Sequence, residues 1–394
     1  MSVNIGRILG IPIRIHWTLW LVFVLIAWSL ATPGGYLSLT YPGLDSTTYW
    51  SIGIVSALLL FVSVLLHELS HSYIAKKNGL PIARITLFFF GGVSEMTEEP
   101  KDAGLEVLMA AAGPLTSFAI AGVMGTLWLL FMLVSAPVAI LAILGYGALI
   151  NAVLGVFNLI PAFPLDGGRV LRGSLWKRSR NLLGATGSAT RVSEGLSTLM
   201  IGVGLLLVVF TGNIVNGLWI LFLGWFIRSG AETSLKQTRM TDILSRVSVS
   251  DIMTKQLLTV SPDITVQALV TDYFLTHPHG GYPVVQNDKV VGLVTMDSVR
   301  TIPGDKRDLE LVSQAMVPYE KTITVTPTVS AADALKRMAQ KGVGRVLVME
   351  EQVSRASILG TPRPLAERLG AVSQSAHSIR VQGLFRAQGN TEDR

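Results

Sequence analysis

The chain has 394 residues, half of them apolar, with a net charge of +6 and a mean hydropathy of +0.51. Residues 1–228 hold 22 charged side chains and residues 229–394 hold 36; a soluble domain carries about 25% charged residues. The first stretch falls far below that level, which excludes a single soluble globular body and points to a membrane part followed by a water-soluble part. There is no cysteine, so disulfides, Cys-ligated zinc, Fe–S clusters and thiol nucleophiles are excluded. The basic balance does not signal a nucleic-acid partner, because most basic residues of the first part cluster where an inside loop of a membrane protein needs them.

Six apolar runs are long enough to be read as membrane spans: 16–32, 51–75, 105–134, 138–160, 195–210 and 214–227. The third is long enough to tilt, to kink near Gly113-Pro114 or to begin outside the bilayer. Thr211-Gly212-Asn213 joins the last two and reads as a tight hairpin. The first run is not read as a cleaved signal, since no small-residue cleavage site follows it and more spans do. Arg7 and Arg14 precede the first span, Lys76, Lys77, Arg84 and Lys101 lie between the second and third, and six further basic residues lie between the fourth and fifth. The alternate loops carry none. This alternation supports six spans and predicts cytoplasmic termini, in a plasma or inner membrane. Between the second and third spans, 82–92 is aromatic and β-branched and stops at Gly-Gly. It reads as a strand, or as a short amphipathic loop on the membrane surface.

The second span ends in Leu66-His67-Glu68-Leu69-Ser70-His71. On a helix His67 and His71 stand at i and i+4, so both imidazoles project from one face and can share a zinc ion. Glu68 lies about 100° further round the axis, close enough to act as general base toward a water. Ionisable residues inside a span are costly and rarely accidental. Two histidines leave zinc short of a third protein ligand, for which Asp166 is the best candidate. It follows the fourth span, and the charge map ends the second and fourth spans on the same side. Glu95, Glu98, Glu99 and Glu106 compete, but they lie in a more polar stretch and read as solvated. Pro161, Pro164, Gly167 and Gly168 break the helix around Asp166. Broken backbone at membrane depth is tolerated only where protein buries it or a cavity lines it, which fits a water-accessible site. Asn158 reads either as a donor to a developing oxyanion or as an interhelical hydrogen bond. His16, beside Trp17 at a span start, reads as an interface residue.

Four features in order resemble the site-2 protease family of intramembrane zinc metalloproteases: HExxH within a span, Phe90-Gly91-Gly92 followed by 93–96, Ala112-Gly113-Pro114, and Asn158 through Leu165-Asp166-Gly167. The resemblance covers roughly residues 1–230. It implies one zinc ion per chain at His67, His71 and Asp166, with Glu68 as base. It implies hydrolysis of a peptide bond within or near the bilayer, the substrates being single-span membrane proteins such as signalling precursors. It further implies that the segment carrying Ile85, Leu87 and Phe89 pairs with an unwound substrate as an added strand.

Residues 247–349 contain an internal repeat. Ser250-Asp251-Ile252-Met253 recurs as Ser313-Gln314-Ala315-Met316, and Thr259-Val260-Ser261-Pro262 as Thr324-Val325-Thr326-Pro327. Each copy reads as strand, helix, strand, strand. This resembles a pair of CBS domains, a module that often binds adenine nucleotides, regulates an attached protein and forms homodimers. Nucleotide-binding members often carry an acid three residues after the threonine matching Thr295. That position is Ser298 here, with Asp297 one step early, so an interaction role is favoured over nucleotide binding.

The expected fold is therefore an α-helical polytopic membrane protein with six transmembrane helices and a small membrane-associated β segment, followed by a soluble α/β CBS-pair domain. The expected division is a membrane domain over 1–230, a linker over 231–246, CBS repeats over 247–303 and 304–350, the second incomplete, and a disordered tail over 351–394. The expected function is zinc-dependent intramembrane proteolysis. The rival is a CBS-regulated transporter or channel, which gives no reason for HExxH together with Asp166.

Overall fold

The computed structural model describes residues 2–89, 91–96, 100–255, 258–277, 279–350 and 353–359. The chain divides into two compact units, 1–239 and 240–394.

The first unit opens with an antiparallel hairpin of β1 (Ser2–Ile8) and β2 (Ile11–His16), followed by α1 (Thr18–Ala31), the short α2 (Tyr36–Thr40) and α3 (Ser46–Lys77). Next come β3 (Ile82–Phe88), β4 (Gly91–Met96) and the helices α4 (Ala103–Leu133), α5 (Val138–Asn158), α6 (Asp166–Ser179), α7 (Leu182–Thr211) and α8 (Ile214–Arg246). The segment read as either strand or surface loop is a strand, set inside a four-stranded sheet of order β1-β2-β3-β4. β2 and β3 run parallel, with Ile13 opposite Ile85 and Ile15 opposite Leu87, while β3 and β4 are antiparallel. Side chains alternate across a strand, so Ile11, Ile13, Ile85 and Leu87 share one face and pack with Leu19 and with Leu69 of α3. The sequence analysis did not foresee β1, β2 or β4.

Among the described residues, six helical stretches are long and apolar enough to cross a membrane: Thr18–Thr40, Ser46–Lys77, Ala103–Leu133, Val138–Asn158, Leu182–Thr211 and Ile214–Arg246. The number agrees with the sequence reading, but the bounds of the last two do not. α7 begins near Asn181, whose side chain caps Gly184 N at 2.9 Å, well before residue 195. α8 runs without a break through 231–246, the stretch read as a linker. Its Ala231 is buried with Phe163 and Ala189, so residues near 231 still pack on the helical bundle. Side chains also cap α3 and α4, through Asp45 to Thr48 N and Asp102 to Leu105 N. The bundle is apolar outside and small or polar inside. Trp20, Val24, Leu115, Val123, Leu205 and Trp219 are exposed, whereas Ser56, Ser63, Ser117, Asn151, Thr186, Ser193 and Ser197 are buried. Helices in lipid gain nothing by hiding leucine and instead associate through close packing and hydrogen bonds between small and polar residues.

The second unit contains two three-stranded sheets. β5 (Gly281–Gln286), β6 (Lys289–Thr295) and β7 (Val317–Pro318) form one; β8 (Thr324–Val325), β9 (Val346–Glu350) and β10 (Val353–Leu359) form the other, in the order β10-β9-β8. β10 falls inside the stretch read as tail, and it supplies the strand that the second repeat was expected to lack. Residues 360–394, the rest of that stretch, lie outside the described residues. The repeats exchange their leading segments. The short helix α9 (Val249–Ile252) packs with Val325, Ala334, Met338, Val346 and Val348 of the second repeat. Val312 in turn packs with Val260, Leu269, Val284 and Val294 of the first. Backbone bonds follow the same exchange, from Val249 N to Val329 O and from Val312 N to Ile264 O.

This exchange has a measurable consequence. Val249 is fully buried, so Val249→Ala is expected to cost about 1.5–3 kcal/mol. In hydrogen exchange on the full chain, the loss of protection should appear in β8 and β9 of the second repeat rather than in β5 and β6 of the first.

Candidate metal centre

α3 supplies His67 and His71 one turn apart, both buried, and α6 supplies Asp166 at its first residue. Their ligand atoms all lie within 4.8 Å of one another. Asp166 Oδ2 is 3.1 Å from His67 Nε2 and 3.2 Å from His71 Nε2. Donors around a tetrahedral zinc with bonds of about 2.0–2.1 Å stand about 3.3 Å apart, close to these separations. The far ring nitrogens are already engaged: His67 Nδ1 with Ser117 Oγ at 2.9 Å, and His71 Nδ1 with Met109 O at 2.6 Å. The carbonyl bond makes His71 Nδ1 the donor, which leaves Nε2 with its lone pair toward Asp166. His71 Nε2 is buried and makes no well-directed hydrogen bond. A buried acceptor without a donor is costly, and a cation removes that cost. Two neutral imidazoles, oriented from behind by bonds to their far nitrogens, and a carboxylate match the donor set of a catalytic zinc site.

α4 passes close behind both rings. A side chain at Gly113 would collide with His67 Nε2 and His71 Nε2, so only glycine lets α4 approach to this depth. β4 lies against the other side of α3. Ser94 Oγ bonds Ser72 Oγ at 2.7 Å, and a side chain at Gly92 would overlap the Glu68 side chain. Glu68 therefore stands half-buried between the helix and the last strand of the sheet.

Other residues singled out from the sequence fall as follows. Asn158 closes α5, half-buried, and one N–H of its amide bonds Leu154 O at 3.0 Å. Glu106 is not solvated as expected: it is 1% exposed and pairs with Arg172, because α6 packs the face that carries Arg172 and Gly173 against α4. Glu95 follows the expectation, partly exposed and bonded to Arg84 at 2.7 Å; Glu98 and Glu99 lie outside the described residues. The strand-addition expectation at Ile85, Leu87 and Phe89 needs correction. β3 is interior, paired with β2 on one side and β4 on the other, and Ile85 and Leu87 face the core. Among the described residues, the open edge on this side belongs to β4. His16 bonds Thr18 Oγ1 at 2.9 Å and stands outside the three-residue cluster.

In the second unit Thr295 caps the short helix α10 (Met296–Arg300), its Oγ1 accepting from Ser298 N at 3.2 Å. Asp297 is exposed, 3.7 Å from Arg300. The sequence reading missed Arg345, whose guanidinium lies over Gly280 and Gly281; burial lowers its pKa, and Asp297 opposes that shift. It also missed Ser117 and Met109, and it singled out Gly113 only as a kink position and as part of the Ala112-Gly113-Pro114 segment. Met109, Gly113 and Ser117 recur every four residues along α4, and this helical-face spacing, with its glycine and serine in an apolar run, carries a signal.

A span-length helix with two histidines one turn apart, joined by a carboxylate from a broken helix, defines a metal site built inside a helical membrane bundle. The profile of Peptidase family M50 matches residues 55–138 and 132–202, and that of the CBS domain matches 249–303 and 312–354. Rip3 of Mycobacterium tuberculosis, named as a zinc metalloprotease, is 33% identical over 353 residues, 89% of this chain and 88% of its own length. The zinc metalloprotease MJ0392 of Methanocaldococcus jannaschii is 34% identical over 89% of this chain and 91% of its own. The solved site-2 protease of Methanocaldococcus jannaschii is 34% identical, with a TM-score of 0.39, over 60% of this chain and 95% of that one. The chain belongs to Peptidase family M50, the site-2 proteases, and carries a CBS pair. It is an integral membrane protein of a zinc metalloprotease family.

Gly113→Ala places a methyl group against both Nε2 atoms. It is expected to reduce the metal content of the purified protein severalfold or more while preserving helicity, since alanine favours helix over glycine. Metal analysis beside circular dichroism checks both parts.

Proposed function

We propose that the protein is a zinc-dependent intramembrane endopeptidase with His67, His71 and Asp166 as the zinc ligands and Glu68 as general base. The observation that carries this reading is the convergence of His67 Nε2, His71 Nε2 and Asp166 Oδ2, with both far imidazole nitrogens already bonded. Zinc bound by this set supplies a Lewis acid that polarises a scissile carbonyl and brings the pKa of a water ligand to about 7. Glu68 accepts the proton of the attacking water and passes it to the leaving amine. The second N–H of Asn158 is the side-chain donor assigned to the developing oxyanion.

The substrate is a single-span membrane protein, cut in or beside its membrane segment as a step of regulated intramembrane proteolysis. It enters as an extended strand on the open edge of β4, next to Glu68, rather than on β3. Unpaired backbone groups at a sheet edge are a template for strand addition. In this reading α3's last turn, α6, the termini and the CBS pair are cytoplasmic, which the clustering of basic residues in alternate loops supports. The CBS pair regulates the protease as an interaction module and forms a homodimer. The use of the Thr295 hydroxyl as a helix cap supports that role over adenine nucleotide binding.

Glu68→Gln is expected to keep zinc and to lose cleavage of a reconstituted single-span substrate by about 10²–10⁴-fold. His67→Ala and Asp166→Ala are expected to lose both. Metal analysis and a cleavage assay on the same samples separate the cases, and full activity in Glu68→Gln would falsify the mechanism. A photo-crosslinking residue at exposed Val93 of β4 should capture substrate in the Glu68→Gln background, whereas one at Ile5 of β1, on the opposite edge of the sheet, should not. Equal capture at both would remove β4 as the docking edge.

A further inference from the structure

Glu106 and Arg172 form a buried ion pair that the proposed chemistry does not use. Glu106 is 1% exposed, and the Arg172 side chain is 9% exposed. Arg172 Nε donates to Glu106 Oε1 at 2.6 Å, and its terminal nitrogen reaches the same oxygen. Taking two charges out of water is expensive, and hydrophobic residues of similar volume often serve stability as well or better. Stability is therefore a weak reason for keeping this pair.

Its position supplies a better reason. Glu106, Met109, Gly113 and Ser117 are all buried on α4, spaced by three and four residues and so aligned along one face. Met109 O holds the His71 ring, Ser117 Oγ holds the His67 ring, and Gly113 admits both. The same stripe that orients both histidines ends at Glu106. Through Arg172 it reaches α6, the helix whose first residue is Asp166. Arg172 lies 5.6 Å from the centre of the Phe163 ring, in the segment that leads into Asp166. Phe163 N in turn bonds Ser193 Oγ of α7 at 3.0 Å. Asp166 has no orienting bond of its own from α4 among the described residues; Arg172 and Glu106 provide the link.

We infer that Glu106 and Arg172 are positioning residues that fix the place of α6 along α4, and with it the approach of Asp166 to the two histidines. This inference rests on the zinc reading above. With Nε and a terminal nitrogen of the planar guanidinium both on Glu106 Oε1, the contact fixes direction as well as distance, which an apolar contact of the same volume does not. One face of α4 then sets the whole ligand triad, two members directly and the third through one ion pair.

The test uses the full chain in detergent, with zinc affinity measured by chelator competition and the melting temperature measured on metal-free protein. The variants are Arg172→Lys, Glu106→Gln and the double variant Glu106→Leu/Arg172→Met. Arg172→Lys keeps the charge and the stem but loses the fork. It is expected to melt close to wild type and to bind zinc about tenfold more weakly, within the ten- to hundredfold range of outer-shell changes. Glu106→Gln is expected to lose affinity within the same range. The double variant should recover metal-free stability, since apolar pairs replace buried ion pairs well, while its zinc affinity stays at least tenfold low. A purely structural pair would show zinc affinity tracking melting temperature. Wild-type affinity in the double variant, or in Arg172→Lys should the double variant not fold, overturns the inference. A wild-type protein that binds no zinc overturns the metal reading itself, which is a distinct result.

Discussion

The Asp166 carboxylate stands within 3.2 Å of both imidazole Nε2 atoms, and that contact imposes conditions on every element around it. A carboxylate and two imidazoles inside an apolar bundle must find their partners in the protein, because hydrocarbon offers none. For the two imidazoles α4 supplies a hydroxyl and a carbonyl, with a bare glycine making room between them, at positions spaced along one face. α6 must begin where it does, because its first residue is the third member. The segment between α5 and α6 cannot be helical, since a continuous helix would carry Asp166 onward at 1.5 Å per residue.

Two kinds of surface meet in α4. Apart from Met109 and Met124, its buried side chains are small, polar or charged, while Leu115, Val123, Leu129 and Leu130 remain exposed on it. In water that distribution would be inverted. In lipid it is the stable one, because the exterior needs only to be apolar and specificity must come from the inside. Buried serines and threonines of α3 and α7 follow the same logic. So does Asn151 of α5, which bonds Ser63 Oγ at 3.0 Å, one turn before His67, and ties α5 to the helix that carries the histidines.

The parts legible in the sequence were those encoded by local pattern. HExxH is a helical-face statement within five residues, six apolar runs report spans directly, and the 63- to 65-residue offset reports the repeat. The pairing of Asp166 with the histidines was reached through the charge map, which assigned both span ends to one side. Contacts set by depth and rotation were not legible. Glu106 read as solvated because its sequence neighbours are polar, yet helix packing turns it inward onto Arg172. The hairpin of β1 and β2 escaped although Ile11, Ile13 and Ile15 alternate cleanly, because a register shift between Asn4 and Gly6 interrupts the pattern of β1 and β2 finds its parallel partner some seventy residues away. The exchange of leading segments between the CBS repeats has no local signature, since Val249 would look the same packed against either repeat.

The placement of Glu68 between α3 and β4 bears on why a membrane protease would contain a sheet at all. A membrane-spanning substrate arrives as a helix with every backbone group bonded internally, and its peptide bonds are shielded within that ladder. Exposing one requires breaking several hydrogen bonds where water cannot replace them, at a cost of several kcal/mol for each unsatisfied group. A helix face or an apolar groove offers no compensation for that loss, whereas a strand edge offers N–H and C=O groups at the spacing an extended chain requires. β3 is occupied on both sides and cannot serve, while β4 has one free edge and carries Gly92 against the Glu68 side chain. On this reading the same strand compensates the unwound substrate and brings its backbone beside the general base, so that docking and chemistry draw on one short element.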